Sequence, residues 1–240
     1  MMRLSRICAE VRYGARLMPS WIHLVGLVAL AIALAEATPG WPIDLLGGDD
    51  RARVVRMCMR MAEVYLPMLA PVFAATALAP EQMHGCGELA ATWPGSLRRT
   101  VFGRLIVIIA ALSVPTVATI AWAVRVTGGR LTGWELVKAV VPTMLALIGA
   151  TLLGAVVGGV LGGFGLGFGW WALDRLTGGS VTRHFYLFGT SWPGQLPTTA
   201  PVWFGPGSQK LLLLTMGSLL LCLAWVAAAR PGAWQERNGQ

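Results

Sequence analysis

Charge is what this sequence has least of. Charged side chains make up 12% of its 240 residues, against about 25% in a soluble domain, which excludes an ordinary water-facing surface. Potential metal ligands are few and scattered. Cys8, Cys58, Cys86 and Cys222 show no C-x-x-C spacing, and His23, His84 and His184 form no i, i+4 pair. His84 and Cys86 are close in sequence, but two ligands do not make a zinc site, and no metal is expected. Ser180 and His184 lie outside any G-x-S-x-G turn that could expose a nucleophile. The chain also lacks G-x-x-x-x-G-K-[ST], whose backbone N–H groups and lysine would wrap a phosphate. No catalytic residue and no bound nucleotide are therefore expected here. The net charge of +8 comes without aromatics interleaved among the basic residues, so nucleic acid is not the expected partner and anionic lipid is.

What the sequence has is apolar length. Hydrophobic residues reach 55% and the mean hydropathy is +0.64. A hydrocarbon core needs roughly 20 apolar residues per helix, and five blocks offer themselves: Trp21 to Ala37, Met61 to Leu78, Leu105 to Val124, Ala139 to Leu173 and Leu211 to Ala229. The fourth would run to roughly 50 Å as one helix, so it is expected to turn near Gly158-Gly159 or Gly162-Gly163. The expected fold is all-α, one polytopic membrane domain over 1–240 with spans at 21–37, 61–78, 105–124, 139–158, 160–175 and 211–229. Both termini then lie on one side. Lysine and arginine are nearly balanced across the two sides. The first sixteen residues carry four arginines against Glu10, whereas Asp44, Asp49 and Asp50 dilute the next loop, which favours a cytoplasmic amino terminus in the cell membrane.

Segment 2–18 places Leu4, Ile7, Cys8, Val11 and Ala15 near one stripe with its arginines largely off it, the pattern of an interfacial helix. No small-residue cleavage site follows a short apolar core, so a cleavable signal is not expected. The glycines Gly154, Gly158, Gly162, Gly165 and Gly169 repeat at small-xxx-small spacing, which lets helix backbones approach closely. They face either a second copy of the protein or another helix of the same chain. Glu36 and Glu63 fall at span ends, where snorkelling is expected, and no intramembrane charge cluster is read from the sequence. Segment 176–210 is a long outer loop bearing Tyr186, Trp192, Trp203 and Phe204, aromatics suited to the interface belt.

Between Gly87 and Leu105 the chain reads GELAATWPGSLRRTVFGRL, a polar, proline-broken stretch between two apolar blocks. Gly87, Glu88 and Leu89 lead to the break at Trp93 and Pro94, then to Ser96 and the paired Arg98 and Arg99; Gly103 and Arg104 open the next span. This order of parts, with the six-span layout, resembles the ABC transporter type 2 permeases. The alanines Ala90 and Ala91 and the irregular EQMHGCG upstream depart from that pattern. The resemblance implies a cytoplasmic coupling helix within 79–104 that docks on a separate ATP-binding subunit. It also implies two copies of that subunit holding ATP and Mg, a second permease copy or a sister permease, an outer gate near Tyr186, Trp192, Trp203 and Phe204, and export across the cell membrane. A non-transporting membrane scaffold or sensor subunit is the alternative.

Overall fold

The structure is a computed structural model that describes residues 20–40, 42–76, 97–182, 185–188 and 206–228. These residues are helical with connecting turns, and no strand occurs among them. Helix α1 spans Ser20–Glu36 and is followed by a 3-10 turn at Ile43–Leu45. Helix α2 spans Gly48–Thr76 and α3 spans Leu97–Val126. Helix α4 spans Gly133–Thr177 and α5 spans Pro206–Ala227. Among the described residues, four helices are long and apolar enough to cross a membrane: Gly48–Thr76, Gly103–Val126, Gly133–Thr177 and Gly207–Ala227.

The helices reach beyond the apolar blocks because their ends carry their own stop signals. α4 starts at Gly133, before Ala139, where Thr132 and Glu135 form a reciprocal capping box that satisfies two otherwise orphaned N–H groups. α2 starts at Gly48, so 48–60, expected as outer loop, is the charged first half of a continuous helix. Residues 97–104, assigned to the coupling loop, are the first turns of α3. Within the helices, Thr76, Thr116, Thr127, Thr143 and Thr151 each donate back to the carbonyl four residues earlier, which satisfies a hydroxyl without water.

α4 is two arms. Gly159 has φ 73 and ψ −171, a backbone region that is essentially glycine-only. Along one straight helix, Thr151 and Gly163 would stand roughly 18 Å apart. A Cβ on Gly163 would instead lie 3.0 Å from the Thr151 carbonyl, and one on Gly154 would lie 2.4 Å from the Gly162 carbonyl. The chain doubles back at Gly159, and arms 133–158 and 160–177 pack antiparallel, backbone on backbone.

The same device joins α4 to α5. A Cβ on Gly149 would lie 2.8 Å from the Gly217 carbonyl, and one on Gly217 would lie 2.8 Å from the Ala146 nitrogen. The core is built from α2, both arms of α4 and α5 around Leu66, Leu69, Leu136, Leu147, Leu152 and Leu213, all buried. By contrast, α3 exposes Ile109, Val114 and Val117, the side chains of a helix facing lipid.

Candidate functional site: a buried polar centre

The described residues bury several charged and polar side chains, and a group of them converges on one place. Its first member is Glu63. Residues Met61–Tyr65 form a π-helical turn inside α2, a local widening that recurs at functional sites. The Val64 carbonyl in this turn accepts the Trp171 indole N–H at 2.8 Å, which fixes α2 against the second arm of α4. Glu63 is fully buried. It was expected to snorkel at a span end; tertiary packing of α4 and α5 over the π turn closes that route, and the carboxylate turns inward instead.

Its partner is Lys210, near the start of α5. The Lys210 ammonium lies 2.5 Å from Glu63 Oε1. It also donates to Thr143 Oγ1 at 3.0 Å and to the Leu187 carbonyl at 2.8 Å. An ammonium has three donors, and all three are used. A buried pair is tolerable when geometry is good and the remaining protons are satisfied, and this one meets both conditions.

A second carboxylate holds the backbone of the same residue, Leu187, by its other group. Asp174 is fully buried, accepts the Leu187 backbone N–H at 2.7 Å and accepts the Thr182 hydroxyl at 2.5 Å. The Leu187 N–H thus goes to the second arm of α4, and its carbonyl goes to α5. Gln209 donates to the Tyr186 carbonyl. Tyr186, Leu187 and Phe188 are buried, so the chain after α4 dips back among the helix ends and is clamped there by its backbone. Tyr186 meets Phe188 edge-on at 5.7 Å. Burial, and then the nearby charges of Asp174 and Glu63, push its phenol above the ordinary value and keep it protonated. Two atoms here, Tyr186 Oη and Gln209 Oε1, are buried with no hydrogen-bond partner among the described residues.

Among the described residues no three His, Cys, Asp or Glu side chains converge, and the Lys210 ammonium already occupies the place where a cation would neutralise Glu63. Chemically the arrangement is a lock. It ties α2, α4, α5 and segment 186–188 together with charges whose separation would expose each of them unpaired in a low-dielectric medium.

The residues singled out from the sequence are distributed otherwise. Gly87, Glu88, Leu89, Trp93, Pro94, Ser96, Trp192, Trp203 and Phe204 lie outside the described residues, as does segment 2–18. Arg98 and Arg99 stand in the first turn of α3. Gly154 and Gly162 meet each other across the α4 hairpin, whereas a Cβ on Gly158, Gly165 or Gly169 would touch nothing within 4 Å. Tyr186 is 2% exposed and packs in the core at this end. Glu63, Asp174, Lys210, Gly149 and Gly217 were not identified from the sequence. The available signal was chemical: Glu63 and Lys210 flank apolar runs too closely to reach water without cost. No protein-family model, curated protein or solved structure matches the chain.

Proposed function

We propose that the chain is the membrane-spanning subunit of an ATP-driven exporter. In this reading it crosses the cell membrane six times, through α1, α2, α3, the two arms of α4 and α5, with both termini cytoplasmic. The observation that carries the reading is the direction of the helices. Gly26 of α1 approaches Leu69, and Gly167 approaches both Thr151 and Pro71. These pairings put the carboxyl end of α2 toward the Gly159 turn, and Lys210 with Glu63 toward the opposite end. The carboxyl end of α2, from which segment 77–96 runs in the sequence toward α3, thus stands remote from the polar centre.

An ATP-binding subunit gripping that segment would push two rigid helices at once. α3 has 30 residues, roughly 45 Å of helix, enough to carry a displacement across the bilayer. Rocking of helix groups would then part α2 from α5 and open the Glu63–Lys210 lock. The partners proposed are two ATP-binding subunits, which hold the ATP and Mg, and a second permease copy or sister permease. The open face at Gly158, Gly165 and Gly169 is available to the latter.

A non-transporting scaffold or sensor is the second reading, favoured by the close packing of the polar centre, since a permanently tied bundle needs no path. The two are separated by purifying the tagged chain from its native membranes and measuring vanadate-sensitive ATP hydrolysis, with and without Trp93→Ala combined with Glu88→Ala. Truncating a buried interface anchor typically costs about 2 kcal/mol or more. The exporter reading expects hydrolysis with the wild type and its loss in the variant at unchanged membrane insertion. Wild-type chain without associated hydrolysis, or a variant that retains it in full, favours the scaffold.

A further inference from the structure

At the end of α2 away from the Gly159 turn, a cleft of about 440 Å³ is lined by Gly48, Arg51, Ala52, Val55, Arg56 and Arg130. The first five are spaced i, i+3, i+4, i+7 and i+8, which is one face of a helix. The adjoining face, with Val54 and Cys58, is buried. Arg130 comes from the turn between α3 and α4. It is brought there because Gly128, at φ 59, packs against Ile43, where an added Cβ would lie 3.3 Å from Ile43 Cγ2.

The three guanidiniums are not equivalent. Arg51 is built in: its Nε donates to the Ile43 carbonyl at 3.1 Å and its Nη2 to the Asp44 carbonyl, so its planar fork is held in place with donors to spare. The guanidiniums of Arg56 and Arg130 have no hydrogen bond or ion pair among the described residues. Asp49 and Asp50 do not line the cleft. Three positive charges from two elements thus face one concavity, with no acidic side chain among the described residues that line it.

A second observation fixes its depth. Trp134, 66% exposed, and Leu45, 72% exposed, stand at this same end, and Lys138 lies 5.2 Å over the Trp134 ring. An exposed indole beside a cation at a helix end is the signature of the headgroup layer. From these positions the geometry points to a binding site for the phosphodiester of an anionic membrane lipid, cradled by Arg51, Arg56 and Arg130. Arginine suits it because the guanidinium fork matches phosphate oxygens in pairs. The inference rests only on the chain being embedded in a membrane and is independent of any ATP-binding partner.

The test uses the full chain in nanodiscs made with a mixture of phosphatidylglycerol and phosphatidylcholine, with co-purifying lipid counted by native mass spectrometry, and a variant carrying Arg56→Gln with Arg130→Gln. Arg51 is left in place because it also holds the 3-10 turn. The wild type should retain phosphatidylglycerol in preference to phosphatidylcholine, and the variant should lose that preference by about thirty-fold, with its thermal transition unchanged. Inorganic phosphate at millimolar concentration should not displace the lipid. Equal retention of the two lipids by the wild type, or an unchanged preference in the variant, overturns the site. Full displacement by inorganic phosphate overturns the lipid as its ligand and leaves a site for soluble anions. Failure of membrane insertion would be seen separately as loss of the chain from the membrane fraction.

Discussion

Replacing Lys210 by Met should destabilise the bundle severely, and replacing Glu63 by Leu as well should recover most of the loss. In the wild type the ammonium makes contacts at 2.5, 3.0 and 2.8 Å to Glu63, Thr143 and Leu187. Lys210→Met leaves a fully buried carboxylate without its cation, which costs about 3–5 kcal/mol. Should Glu63 take up a proton to escape that cost, three hydrogen bonds at about 1 kcal/mol each are still lost, so the floor is near 3 kcal/mol. For a chain of this length 1 kcal/mol moves the melting temperature by roughly 2–4 °C, so a fall of roughly 10 °C is expected in the detergent-solubilised chain, read as loss of the monodisperse species on heating. The pair Glu63→Leu with Lys210→Met replaces two charges by apolar groups of similar reach and should melt within a few degrees of the wild type. The decisive quantity is the coupling energy of the cycle, expected at about 3 kcal/mol or more. A single variant that melts with the wild type, or a double variant no better than the worse single, would refute the lock.

Further outcomes follow from the backbone contacts. Gly154→Ala puts a Cβ 2.4 Å from the Gly162 carbonyl, a clash with backbone, and should lower the melting temperature. At Gly158 an added Cβ would meet nothing within 4 Å, so Gly158→Leu should leave the monomer intact, and any loss of a paired species on size-exclusion chromatography reports a contact between copies. Gly159→Ala forces a side chain onto φ 73 and should cost about 1–3 kcal/mol by the same thermal assay. With Cys8, Cys58, Cys86 and Cys222 replaced, single cysteines near Met1 and Gln240 should both resist an impermeant thiol reagent in intact cells; labelling of one end alone would mean an odd number of crossings.

The helices were legible in the sequence because apolar length is a local property. That α4 turns was legible too, since the block is too long for a bilayer, but the sequence offered both Gly158-Gly159 and Gly162-Gly163, and the backbone leaves helical geometry at Gly159. The helix ends were not, since polar residues such as those of 48–60 continue a helix wherever capping and i, i+4 contacts support it. The polar centre was illegible for a different reason. Glu63 and Lys210 stand 147 positions apart in sequence (210 − 63) and 2.5 Å apart in space, and closeness to an apolar run does not say which partner each will meet. Glycine spacing along one helix likewise suggested pairs such as Gly158 with Gly162, whereas the close contacts join Gly154 with Gly162 and Gly149 with Gly217. Small-residue spacing marks a face that can be approached and does not name what approaches it.

The proposed drive through segment 77–96 is tested most directly by a photo-crosslinking amino acid placed at Trp93 in the full chain, illuminated in living cells, with crosslinked partners identified by mass spectrometry. A crosslink to a cytoplasmic ATP-binding subunit, lost when Glu88 is also changed to Ala, is the predicted result. A Trp93 position that crosslinks only to lipid, or that is reached by an impermeant reagent from outside the cell, would contradict it.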